Sequence, residues 1–239
     1  GKGVSRLKIE NMFKNWQKNT VQVVFQILFL FFLGCNNNSD ESVFEPAELV
    51  NPLMGTDSDY WLSHGNTYPA IAVPWGMNFW TPQTNVMGNG WSYTYDDRKI
   101  MGIKQTHQPS PWINDYAAFS LMATTGSLKY DEKERASWFS HKAEVVKPYY
   151  YSVYLADYDV TAEVTPAERS ALFRFTFPEN DSSFIIIDAF NEGSMVKVLP
   201  SERMVIGYCR NNQGGVPDNF HNYFVVTFDR DFSMIYTWN

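Results

Sequence analysis

Between Asn51 and Tyr116 the chain collects residue types that can hold a sugar. Trp91 and Trp112 offer flat apolar faces on which the C–H side of a pyranose ring stacks. Asn66, Thr67, His107, Asn114 and Asp115 offer donors and acceptors that can fork to vicinal hydroxyls. A carbohydrate site needs both, a platform and convergent polar groups. Each residue also has an ordinary structural reading. Trp91 is a platform or a half-buried core residue, and Trp112 walls a cleft or seals the fold. His107 binds a hydroxyl or orients its own loop. Asp115 accepts from two hydroxyls or closes a local Asx turn. The residues alone leave these alternatives open. The pairs Asp57/Asp59 and Asp157/Asp159 would share a strand face, and they read as structural acids, since calcium wants more oxygen ligands than two. His141 reads as structural, and His64 and His221 as exposed loop residues.

The elements that must position these side chains read as strands. From Leu49 onward no helical period persists, whereas two-residue alternation recurs. In Ala171–Phe177 the three Phe face one way, and Pro178 ends the strand because proline cannot donate to a ladder. Phe184–Ile187 is an unbroken apolar run, expected to be covered on both faces. Tyr149–Leu155, Val160–Val164, Met204–Tyr208 and Tyr223–Phe228 continue the series. Asn211–Gly215 supplies turn residues, and only Tyr130–Ala136 suggests a helical turn. Asn51–Pro82 and Gly88–Ser110 read as long ordered loops between short strands, the kind that carries function. The fold class is all-β, a β-sandwich.

Composition narrows the function classes. The 239 residues carry a net charge of −7, which argues against a nucleic-acid binder, because that role needs a basic stripe. Two cysteines make no disulfide framework, and 44% hydrophobic residues exclude global disorder. The excess lies in aromatics, with 8 Trp, 14 Tyr and 18 Phe.

Residues 1–34 read as an address. A basic start from Met12 to Lys18 leads into an apolar run, Val21–Leu33, which suits a signal-peptide core and is short for a bilayer span. Phe32-Leu33-Gly34-Cys35 resembles a bacterial lipobox, which would make Cys35 the acylated N-terminus. Residues 35–48 then form an acidic tether of a kind found in surface lipoproteins of Gram-negative bacteria, anchored at the outer membrane by lipid only. Residues 1–34 hold Lys2, Arg6, Lys8, Lys14 and Lys18 against Glu10, so removing this +4 leaves 205 residues with charge −11. Cys209 would then be the only thiol, with no intrachain disulfide.

Several motifs recur in a family order: Asn51-Pro52-x-x-Gly55-Thr56, Gly65-Asn66-Thr67-Tyr68-Pro69, Val73-Pro74-x-Gly76-Met77, Gly90-Trp91-x-Tyr93 and Thr106-His107. Glu134–His141, Leu155–Thr161 and Gly214–Pro217 follow in sequence. Together they resemble the N-terminal domain of glycoside hydrolase family 92 over residues 49–239. The resemblance implies a galactose-mutarotase-like supersandwich and an exo-acting, inverting α-mannosidase that needs Ca2+. Its substrates would be mannose-containing glycans such as N-glycans or mannan. In that family the acid, the base and most calcium ligands come from a C-terminal helical (α/α)6 domain, and the site lies at the junction. Inverting hydrolysis needs an acid and a base with room for water between them. The expectation is therefore a substrate-cleft domain that holds no calcium and no catalytic residue by itself, truncated within its sandwich and inactive alone. Unpaired edges and an uncovered apolar face would make it prone to aggregation. The alternative is a non-catalytic glycan-binding surface lipoprotein. A third class, an enzyme working wholly on the sandwich, has only His107 and Asp115 to offer.

Overall fold

The computed structural model describes residues 45–59, 61–62, 67–86, 92–106, 118–189, 193–210, 212 and 215–238. The chain divides into Gly1–Glu45 and Pro46–Asn239, and the second unit is the one that follows.

Thirteen strands among the described residues form four antiparallel sheets. The first sheet contains β1 (Phe79–Gln83), β3 (Gly102–Thr106), β4 (Ser120–Thr125) and β10 (Ser183–Asp188), in that order. The second runs β6 (Val145–Lys147), β7 (Tyr150–Leu155), β8 (Val160–Pro166) and β9 (Ala171–Thr176). The third holds β11 (Met195–Leu199), β12 (Met204–Cys209) and β13 (Asn222–Thr227), and the fourth pairs β2 (Lys99–Ile100) with β5 (Ser137–Trp138). One helical turn, α1 (Glu132–Arg135), is capped by Asp131, whose carboxylate accepts from the Lys133 and Glu134 amides.

Alternation sets the inner faces. Tyr151 pairs Val164, which pairs Phe173, and Val153 pairs Ala162, which pairs Phe175. Directly opposed residues share a face, so these six side chains point inward. Glu163, Arg174 and Thr176 take the outer face. The first sheet answers with Trp80, Ile103, Leu121 and Ala123. Trp80 stands edge-on to Phe173 with centroids 4.8 Å apart, and Phe119 stacks on Phe224 at 4.5 Å. These contacts join three sheets into one sandwich core.

Two sequence expectations change. Asn51–Pro82 and Gly88–Ser110 carry β1, β2 and β3, because Gly102–Thr106 pairs in register with Phe79–Gln83 across the loop between them. The run Phe184–Ile187 is not covered on both faces, since only Ile186 is fully buried. It lies on β10, an edge strand, as do β9 and β13 in their sheets. These three edges border an open groove of about 2610 Å3, lined by Phe173, Phe175, Ile185, Ile187, Phe224 and Val226 among others. Among the described residues no helix is long and apolar enough to cross a membrane.

Candidate functional site

The first sheet has a second face, which is largely polar, with Met122 and Ile186 among its buried groups. Register places Thr81 beside Lys104, and Lys104 beside Ser120. Gln83, Thr106 and Thr124 fall on that same side by alternation, and all six are buried. Burying so many polar groups costs free energy unless each finds a partner. Some do. Tyr68 and Thr106 share a hydroxyl–hydroxyl hydrogen bond. Lys104 Nζ donates to Ser92 Oγ at 2.9 Å. Gln83 Nε2 donates to Glu132 Oε1 at 2.6 Å and to the Asn85 carbonyl at 2.9 Å. Gln83 Oε1, Ser120 Oγ and Thr124 Oγ1 have no partner among the described residues. Buried oxygens in that condition suit a bound water or a ligand hydroxyl.

Two loops of this unit are held by short-range chemistry. In Asn51–Thr56, Asn51 Oδ1 accepts from the Leu53 amide at 3.0 Å, and Thr56 Oγ1 donates to the Leu53 carbonyl at 2.8 Å. Gly55 sits at φ +82 with Thr67 against it, since a Cβ there would lie 3.2 Å from Thr67 Cγ2. Another loop leaves β1 and is tied back on itself. The Thr84 amide donates to the Ser92 carbonyl at 2.9 Å, the Thr94 amide to Thr84 Oγ1 at 2.9 Å, and Asn85 Nδ2 to Thr94 Oγ1 at 3.1 Å. Gly102 needs to be glycine, because a Cβ would sit 2.2 Å from Ser120 Oγ.

Beside this face lies a charged cluster. His141 Nδ1 meets Glu144 Oε1 at 2.6 Å and Nε2 meets the Tyr95 carbonyl at 2.7 Å. Both ring nitrogens therefore face oxygen atoms. The other Glu144 oxygen accepts from the Tyr151 hydroxyl at 2.9 Å. Burial, reinforced by the Glu144 charge, drives the Tyr93 and Tyr151 hydroxyls well above the ordinary phenol range, so both stay neutral. Arg135 is fully buried and reaches Asp188 at 2.8 Å, the Tyr130 carbonyl at 2.7 Å and the Met101 carbonyl at 2.9 Å. It ties α1 to the β2–β3 joint and to the end of β10.

Of the residues that the sequence offers for sugar binding, Thr67 is described, half-buried against Gly55 and next to Tyr68. Asn66, Trp91, His107, Trp112 and Asp115 lie outside the described residues, as does Cys35 with the whole leader. Their neighbours in the chain are placed, however. Tyr68, Ser92 and Thr106, each within two residues of one of these candidates, converge on the polar face. Sequence reasoning passed over Lys104 and Ser92. Lys104 stands between Gly102 and Thr106 at alternate positions, which was the available signal for a shared face. It also passed over Trp75, held at φ +62 and 96% exposed. That turn is clamped from below, where the Met77 amide donates to the Glu168 carbonyl at 2.7 Å.

Other expectations shift. Asp157 and Asp159 lie in the turn between β7 and β8, not on a strand. Asp157 accepts from the Trp138 amide at 3.3 Å and Asp159 from the Tyr154 hydroxyl at 2.8 Å. Asp59 accepts from the Leu62 amide at 3.1 Å. His221 is not a bare loop residue, since it donates to the Asn219 carbonyl at 2.6 Å and packs on Tyr208 and Tyr223. Among the described residues no three His, Cys, Asp or Glu side chains form a group able to hold a metal ion. No catalytic step through calcium is therefore assigned to them.

Relatives agree with this architecture. A family GH92 inverting mannosidase from Bacteroides thetaiotaomicron VPI-5482 superposes with a TM-score of 0.70 at 53% identity, over 74% of this chain and 24% of that one. A family GH92 α-mannosidase from Bacteroides thetaiotaomicron, solved with mannoimidazole, gives 0.66 at 32% identity, over 78% and 26% of the two chains. An uncharacterized secreted glycosidase from Arthroderma benhamiae is 21% identical over 140 residues, which is 56% of this chain and 17% of the relative. The chain thus spans about a quarter or less of these relatives. The model of the glycosyl hydrolase family 92 N-terminal domain matches residues 49–239, and the chain belongs to that family.

Proposed function

We propose that residues 49–239 form the substrate-cleft domain of an exported, inverting, calcium-dependent exo-α-mannosidase acting on N-glycans or mannan. The observation that carries this reading is the buried polar face of the first sheet, on which Tyr68, Ser92 and Thr106, chain neighbours of Thr67, Trp91 and His107, make hydrogen bonds. A tier of buried hydroxyls and amides suits a polyol ligand. Chemistry is a different matter. Inversion needs two carboxyl groups separated by a water, and the family resemblance puts both, with most of the calcium shell, on a helical domain. In this reading the sandwich contributes binding and orientation, and the 239-residue chain by itself is inactive. Residues 1–34 act as the signal peptide, and Cys35 carries the lipid that anchors the protein at the outer membrane or cell surface.

Hydrolysis of an aryl α-mannoside by this chain, with calcium present, is the decisive assay. The expected outcome is no turnover, and turnover would sink the division of labour. Calorimetric titration with mannose oligosaccharides separates a half-site from a free-standing glycan-binding lipoprotein, since tight binding by the chain alone supports the latter. Cys35→Ala is expected to move the protein from the membrane fraction to the soluble one.

A further inference from the structure

Trp75 stands almost wholly in solvent, 96% exposed, on a turn that keeps it there. Val73-Pro74-Trp75-Gly76 closes with the Gly76 amide donating to the Val73 carbonyl at 3.0 Å. Proline at the second place and a positive φ at the third make the pattern of a type II turn, whose third place ordinarily goes to glycine. Here it goes to Trp75 at φ +62, a conformation that bulky side chains avoid. Two neighbouring turns grip this one. The Ala72 amide donates to the Pro148 carbonyl at 2.8 Å, and the Met77 amide to the Glu168 carbonyl at 2.7 Å. Asn78 Nδ2 adds contacts to the Ala167 and Glu168 carbonyls at 3.2 and 3.3 Å. The gripping turns join β6 to β7 and β8 to β9, so all three meet at one end of the second sheet. An indole kept out of the core on a fixed and unfavourable backbone does nothing for the packing of the fold.

The gripping turns bring polar groups with them. Glu168 and Arg169 are exposed, and neither side chain enters a hydrogen bond or ion pair among the described residues. Tyr149, on the other turn, is 40% exposed, and its hydroxyl donates to Glu48. A flat aromatic face beside a free carboxylate and a free guanidinium matches a pyranose ring. The ring's C–H side stacks, and its vicinal hydroxyls need both an acceptor and donors. The opposite charges argue against a membrane surface, which draws basic residues around its aromatic anchors. We propose that Trp75, with Glu168 and Arg169, is a platform that binds a pyranose ring of a polysaccharide chain. That this chain is an α-mannan rests on the reading of the protein as part of a mannosidase, whereas the platform itself does not.

The test is native affinity electrophoresis of the 239-residue chain in gels with and without soluble α-mannan or dextran. Wild type is expected to be slowed by mannan. Trp75→Gly, which suits the positive φ of the turn, should weaken that retardation about tenfold, the loss of one aromatic platform. Trp75→Tyr keeps a flat ring and should retain most of the effect, with both variants melting like wild type. Equal retardation of wild type and Trp75→Gly overturns the proposal, and so does no retardation in any gel. Retardation in dextran alone, lost in Trp75→Gly, upholds the platform and overturns the mannose reading. Binding to phosphatidylglycerol vesicles that Trp75→Gly abolishes, without retardation by either polysaccharide, overturns the proposal in favour of a membrane contact. Should Trp75→Gly fold poorly, Trp75→Asn, which also tolerates positive φ, decides the question.

Discussion

The polar face of the first sheet and the groove bordered by β9, β10 and β13 invert the usual arrangement of a soluble sandwich. On the polar face, Thr81, Gln83, Lys104 and Thr106 are buried beneath loops. In the groove, Phe173, Phe175, Ile185 and Ile187 are only partly covered and open toward solvent. A fold governed by burial alone would cover the apolar surface first. Covered polar groups need hydrogen-bond partners to be tolerated, and uncovered apolar strand edges leave pairing groups and apolar surface to solvent. The covered polar groups and the uncovered apolar edges therefore lie on opposite sides of one sheet.

That contrast can be tested by substitution, beginning between the two regions. Trp80 fills the core between β1 and the Phe173 and Phe119 rings, and its Nε1 donates to Asn78 Oδ1 at 2.5 Å. Trp80→Ala is expected to cost about 3–5 kcal/mol, read by urea unfolding at low protein concentration. Gly102→Ala attacks the polar face by pushing a methyl group toward Ser120 Oγ, and about 1–3 kcal/mol should follow. A loss confined to the apolar side would erase the distinction between the faces. Val225→Lys places a charge on the exposed edge strand β13. Stability should change by less than about 0.5 kcal/mol, while self-association measured by light scattering should fall clearly.

The smallest effect belongs to the outer face of the second sheet. Arg174 grips Glu163 through two contacts of 2.5 and 2.6 Å, and this hydrogen bonding, before any other cause, holds the Glu163 carboxyl below its ordinary 4.5. A lowered folded-state value stabilises the native protein above that pH and ceases to do so as pH falls through the lowered value. Glu163→Gln should therefore be slightly less stable than wild type at neutral pH, with the gap closing in acid. A gap that widens in acid would contradict the assignment. Exposed pairs of this kind contribute little.

Much of the sandwich was legible because two-residue alternation reports burial directly. Ala171–Phe177 shows its Phe and Arg faces in the sequence, and β9 reproduces them. The strands that were missed, β1, β3 and β4, lack that alternation because both of their faces are covered. A lysine or glutamine on a covered polar face looks, in one dimension, like a solvated loop residue. The same ambiguity hid Lys104 and Ser92, whose meaning depends on a contact across 12 residues.

By itself the sequence determined the family, through motifs in a fixed order, and the all-β class, through alternation. It also located the sugar-binding candidates, since aromatic and hydrogen-bonding residue types are local information. Only the tertiary structure decided which strands pair, that one sheet face is polar and buried, and that three edges border an open apolar groove. Those outcomes follow from long-range backbone register, which no local pattern encodes, because a shift of one residue would exchange the two faces.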